Sequence, residues 1–163
     1  MITDQIVKTL KLKKIYLATV ESCTGGFVAN QITNTPGASG VFFGGWVVYD
    51  NEAKGSLLGI PPRVIKKHGA VSPQVAKLLA ERGLNLVLKI YPKNNIVCIS
   101  TTGIAGPTGG SNKKPVGLCY VGIAASKKKT QVIKLLSKKN QNRIKNKHFF
   151  ANEALKKLLL TCK

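Results

Sequence analysis

Glu21-Ser22-Cys23-Thr24-Gly25-Gly26 holds two side chains that can act as nucleophiles, Ser22 and Cys23, in a run of glycine and hydroxyl residues. An apolar, β-forming run, Ile15 to Val20, precedes it, and Phe27, Val28, Ala29 and Ile32 follow at helix-face spacing. The pattern predicts a strand that enters a helix through a tight turn. Free backbone N–H groups and the positive end of a helix dipole would then meet at one place. The plain alternative is a turn in which Ser22 or Thr24 only caps the helix. A second glycine-rich run, Thr102 to Gly110, follows another predicted strand, Asn95 to Thr101. Two such loops at strand ends suit a phosphate or an oxyanion.

Other chemistries are poorly supplied. Neither G-x-x-x-x-G-K-[ST] nor G-x-G-x-x-G occurs, so nothing supports a P-loop or the usual dinucleotide fold. His68 sits in a Lys-Lys-His-Gly turn, a surface setting that leaves a Ser-His-Asp triad without its base. Six carboxylates in the whole chain leave little for a carboxylate pair or a divalent-metal cluster. Ser22 with a lysine base remains. A lysine can serve only if its pKa falls from about 10.4 towards neutrality, by desolvation or a neighbouring cation. Lys54 stands out because it follows Tyr49-Asp50-Asn51-Glu52 in the first turn of a short predicted helix, where the dipole disfavours a cation. The alternative for Lys54 is an ordinary surface lysine.

The elements that must position these residues can be read in order. Residues 3–13 read as a helix with Ile6, Val7 and Leu10 inward, and the helix from Gly26 ends before Pro36. Val41 to Tyr49 is a second strand whose Gly44-Gly45 pair signals a bulge, or close approach of a ligand or another backbone. A short helix runs from Asn51 to Gly59, and a turn from Pro61 to Gly69. Ser72-Pro73 then starts a long helix with Val75, Leu78, Leu79, Leu86 and Val87 inward and Gly83 weakening its middle. Leu118 to Ala125 and Gln131 to Leu136 form a hairpin over Lys127-Lys128-Lys129. Asn140 to Leu160 is a closing helix with Ile144, Phe149, Phe150, Ala154, Leu155, Leu158 and Leu159 inward. Alternating strands and helices followed by a hairpin predict an α/β fold with a mixed sheet covered by helices. The two loops would then face one crevice beyond the strand ends.

The 163 residues read as one domain spanning 1–163. No apolar run approaches the ~18 residues of a membrane span, and the N-terminus lacks a signal-peptide pattern, so a cytoplasmic protein is expected. Four cysteines show no C-x-x-C spacing. Cys98 and Cys119 fall inside strands as small hydrophobes, and no metal or cofactor is expected. The net charge is +20, from 26 basic and 6 acidic residues. Nucleic-acid binding is one reading of that charge. Most of the bases are lysines spread along the chain beside much Asn and Ile, however, and no nucleic-acid motif accompanies them. The excess is therefore read as compositional, with only nonspecific polyanion binding expected from it.

Six blocks together carry a resemblance: Glu21 to Gly26, Tyr49 with Asn51 to Lys54, His68 to Ser72, Thr102 to Pro107, Gly109-Gly110 and Lys114 to Gly117. In type and order the chain resembles the CinA C-terminal-domain family of nicotinamide-nucleotide amidohydrolases, over about residues 3–160. The resemblance implies a three-layer α/β/α sandwich with a mixed central sheet, which forms homo-oligomers. It also implies that the domain, elsewhere often joined to a larger N-terminal one, stands alone here. The activity implied is hydrolysis of the carboxamide of nicotinamide mononucleotide to nicotinate mononucleotide and ammonia. Ser22 would be the nucleophile, Lys54 the general base and Tyr49 the residue that relays or orients the proton. N–H groups of Thr24, Gly25 and Gly26 would hold the oxyanion, and the loop with Thr102, Gly103, Gly106 and Gly109 would cradle ribose and phosphate. Arg143 matches the first of two family arginines suited to a phosphate. Lys147 stands at the second and keeps the charge without the bidentate fork. The alternative is an inactive member that binds a nucleotide or a partner.

Overall fold

Two of the three parallel strands end where the two glycine-rich runs begin. β1 (Ile15–Glu21) lies between β2 (Phe42–Val47) and β3 (Asn95–Gly103) and pairs with both in parallel. β4 (Leu118–Ala125) and β5 (Gln131–Leu136) extend the sheet antiparallel, giving the order β2-β1-β3-β4-β5. The structure, a computed structural model, describes residues 1–162. α1 (Ile2–Leu12), α2 (Phe27–Thr33) and α6 (Arg143–Cys162) cover one face of the sheet. α3 (Asn51–Leu58), α4 (Pro62–His68) and α5 (Pro73–Ile90) cover the other. The expected α/β/α sandwich with a mixed sheet is therefore present. Among the described residues no helix is long and apolar enough to cross a membrane.

Strands covered on both faces must be apolar on both, and β1 and β3 are. Leu17, Val97 and Ile99 face the core under α1, α2 and α6, whereas Ala18, Val20, Ile96 and Cys98 face the core under α5. The second face is lined by small groups because α5 lies close to the strands. A Cβ on Gly83 would stand 2.6 Å from both Val20 Cγ2 and Cys98 Sγ, and one on Gly122 would stand 2.4 Å from the Ala76 carbonyl oxygen. Gly83 is thus part of the contact rather than a weak point in the helix. Alanine normally favours a helix over glycine by about 1 kcal/mol. Here Gly83→Ala should instead destabilise by about 1–3 kcal/mol through overpacking, seen as a lower urea midpoint.

Other expectations shift for geometric reasons. The inner face of α5 is Val75, Ala76, Leu79, Ala80, Gly83, Leu84 and Val87, with Leu78 and Leu86 only half-buried. Ile144, expected inward, is 58% exposed. It lies two residues, about 200° of helix rotation, before the buried Asn146, whose face continues through Phe150 and Ala154. Of the readings of Gly44-Gly45, the structure selects the bulge and the neighbouring backbone. Leu17 pairs with Phe42 and Ala18 with Gly44, so Phe43 is the extra residue. A Cβ on Gly45 would lie 2.9 Å from the Thr19 carbonyl oxygen.

β1 connects through α2 to β2 on one side, while β3, reached later through α5, lies on its other side. The chain therefore leaves the carboxyl end of β1 in one direction and that of β3 in the other. A crevice must open between them.

Candidate active site

Three strand ends supply the crevice. After β1 comes the turn 22–26, after β2 come Tyr49 and the start of α3, and after β3 comes the second glycine-rich loop. The first turn is stitched to its neighbours by backbone bonds. Ser22 N–H donates to the Thr101 carbonyl at 3.0 Å, and Val48 N–H donates to that of Glu21 at 2.8 Å.

The turn is organised by Glu21, a residue that motif reading passed over. Its carboxylate is buried and accepts from Thr24 Oγ1 (2.6 Å) and from the N–H groups of Gly26 (3.0 Å), Val28 (3.0 Å) and Ala29 (2.8 Å). It caps α2, so neither Ser22 nor Thr24 does. This overturns part of the oxyanion expectation. Gly26 N–H is held by Glu21 and Gly25 N–H by the Ser22 carbonyl at 3.1 Å. Among the described residues, the N–H groups of the turn with no acceptor are those of Cys23 and Thr24. The available signal was scarcity: one of only six carboxylates ends an apolar strand just before a helix.

Ser22 is 8% exposed, and among the described residues its hydroxyl makes no hydrogen bond. Lys54 is 1% exposed, so it is no surface lysine. Its ammonium donates to the Tyr49 carbonyl (3.0 Å) and the Asp50 carbonyl (3.3 Å), which leaves one of three N–H groups unspent. Burial pushes its pKa below the ordinary lysine value, while Asp50 and the nearby Cys23 sulfur oppose that shift. Ser22 and Lys54 share this neighbourhood but do not bond in the resting arrangement.

The lowered pKa has a consequence for stability. Between the folded pKa of Lys54 and the ordinary value near 10.5, the unfolded chain binds a proton that the folded chain does not. Stability therefore rises with pH across that window, and below it the folded state carries the full cost of a buried ammonium. Lys54→Met removes this dependence. The stability of wild type relative to Lys54→Met should climb from pH 7 towards pH 10, measured by urea unfolding at each pH.

The crevice itself is a cleft of about 210 Å³. Cys23, Tyr49, Gly103, Gly106, Gly109 and Arg143 are among its lining residues, whereas Ser22 and Lys54 are not. Thr102 turns away, its hydroxyl donating to the Ala70 carbonyl at 2.8 Å, so it holds the fold rather than facing the cleft. Tyr49 is 58% exposed and its hydroxyl bonds the Arg143 guanidinium, which also donates to the Gly106 carbonyl at 2.7 Å. The Lys147 ammonium reaches over the first turn, 3.2 Å from where a Cβ on Gly25 would stand and 5.9 Å from the Phe27 ring centre. Asn146, between these two cations, is buried and ties α6 to the second loop by donating to the Ala105 carbonyl at 3.0 Å. Its sequence signal was one amide at i, i+4, i+8 register with Phe150 and Ala154.

Residues 1–162 match the family model of the CinA C-terminal domain. A CinA-like protein of Chlorobaculum tepidum is 41% identical over 163 residues, 98% of this chain and 37% of that protein. Another, from Chloroherpeton thalassium, is 44% identical over 125 residues, 77% of this chain and 28% of that protein. The crystal structure of competence/damage inducible protein CihA from Agrobacterium tumefaciens superposes with a TM-score of 0.90 at 31% identity, covering 99% of this chain and 94% of that one. The chain spans about a third of the length of the curated relatives it matches. Motif order, fold and whole-chain match agree, and the chain belongs to the CinA C-terminal domain family.

Proposed function

We propose that this chain is an amidohydrolase that releases ammonia from the carboxamide of nicotinamide mononucleotide. The observation that carries the reading is Lys54. It is a fully buried lysine with a depressed pKa that interacts with the Cys23 sulfur, the residue next in sequence to the unbonded Ser22 hydroxyl, at the carboxyl ends of parallel strands.

Deprotonated Lys54 takes the Ser22 proton through its free valence, and Ser22 Oγ attacks the amide carbon. The N–H groups of Cys23 and Thr24, which have no internal acceptor, face the oxyanion. Lys54 then gives its proton to the leaving ammonia, and a water activated the same way cleaves the acyl-serine. Tyr49 and Arg143 border the cleft as a bonded pair, and Arg143 with Lys147 supplies cations for a phosphate. The cleft is smaller than the ~300–1,000 Å³ of sites that enclose a ligand, so most of the nucleotide lies outside it, against these cations.

The test is ammonia release from purified protein and nicotinamide mononucleotide with no added metal. Release whose kcat/KM rises with pH through an ionisation below the usual lysine range supports the reading. Nucleotide binding without ammonia marks the chain as a binding module instead.

A further inference from the structure

We propose that Cys23 and Cys119 are a disulfide-forming pair that closes the site under oxidation by peroxide. Their sulfurs lie 3.8 Å apart, at contact distance, although 96 residues separate them in sequence. Cys119 sits on β4 directly opposite Gly103, where a Cβ on Gly103 would stand 2.8 Å from Cys119 Cβ. The missing side chain at 103 keeps that approach open.

The two partners differ in access and freedom. Cys23 lines the cleft, so a small oxidant reaches it, and it belongs to a turn rather than to a ladder. Cys119 is fully buried, pinned in the β3–β4 pairing, and its thiol is pushed well up by burial. Cys23 is therefore the attacking sulfur and Cys119 the resolving one.

The Cys23 thiolate attacks one peroxide oxygen, and the O–O bond breaks to give Cys23 sulfenic acid and hydroxide, which takes up a proton to become water. The Cys119 sulfur then attacks the sulfenic sulfur. The S–S bond forms, and hydroxide leaves with the Cys119 proton as a second water. Two thiols lose two electrons to one peroxide. Closing the gap from 3.8 Å to about 2.05 Å falls on the turn, because Cys119 is fixed in the sheet. The adjacent Ser22 hydroxyl and the Cys23 and Thr24 N–H groups move with it. A displacement on the order of 1 Å at reacting groups costs roughly a hundredfold in rate. Thiol reductant restores the open form.

The loss of turnover rests on the amidase reading, but the bond does not. The experiment treats the full chain with hydrogen peroxide, blocks free thiols and maps peptides without reduction. The proposal expects a Cys23–Cys119 linked peptide and loss of two hydrogens, reversed by dithiothreitol. It also expects ammonia release to fall roughly a hundredfold and return on reduction. Cys119→Ala and Cys119→Val should keep basal turnover, form no link and lose the reversibility, while Cys98→Ala behaves as wild type. A linked peptide in protein that never releases ammonia supports the pair and overturns only the amidase reading. Absence of the linked peptide, or inactivation equally reversible in both Cys119 variants, overturns the pair.

Discussion

Ser22→Ala should lower kcat for ammonia release by about a thousandfold or more, leaving the fold intact. Among the described residues, the hydroxyl is the one nucleophilic group at the carboxyl end of β1 with no partner: Cys23 Sγ contacts Cys119, and Thr24 Oγ1 is shared between Glu21 and Thr101. Because the Ser22 hydroxyl makes no hydrogen bond among the described residues, its removal leaves no orphaned partner. Thermal stability should move by less than about 0.5 kcal/mol. Cys23→Ala is the matched control, and its turnover should stay within about tenfold of wild type. If Cys23→Ala abolishes release while Ser22→Ala does not, the nucleophile is the sulfur. Single-turnover kinetics separate the two, since a serine nucleophile leaves an acyl-serine that can be trapped.

The second large effect is on stability and sits one residue earlier. Glu21→Gln should cost about 3 kcal/mol or more, a fall of roughly 6–12 °C in Tm, read by calorimetry. The two side chains are nearly the same shape, so packing is not the cause. Glu21 presents only acceptors, and all four of its partners donate: Thr24 Oγ1 and the N–H groups of Gly26, Val28 and Ala29. Glutamine places an NH2 where an acceptor is needed. One or more buried donors then lose their bond, and the charge that complements the α2 dipole is gone. Turnover should fall as well, because the same turn carries Ser22. A Glu21→Gln protein as stable as wild type would mean that the turn is held by its backbone alone.

The element order was legible in the sequence because it depends on local periodicity and punctuation. Proline at 73 after the Ser72 cap, glycine at 59 and alternating apolar runs each act over a few residues. The five strands and the other helices lie close to where they were expected, whereas Pro62–His68, expected as a turn, is the helix α4 with proline at its first position. Which face of a helix turned inward was less legible. Gly83 reads locally as a defect, and only the distance from α5 to Val20 and Cys98 makes it a requirement. Ile144 reads as core, and only the docking of Asn146 against Ala105 turns it out.

The candidate site divides in the same way. The sequence by itself determined which groups exist to do chemistry: a serine and a cysteine in one strand-to-helix turn, a lysine near the start of a short helix, two glycine-rich loops, and family membership through six ordered blocks. Tertiary structure decided their states. Lys54 is buried with a depressed pKa, and of the N–H groups expected at an oxyanion, that of Gly26 is held by Glu21 and that of Gly25 by the Ser22 carbonyl. Thr102 turns from the cleft to Ala70, Lys147 lies over Gly25, and Cys119 lies against Cys23. Residue type is a local property of the chain. Desolvation, hydrogen-bond partnership and contact between residues distant in sequence are created only when the strand ends are brought together.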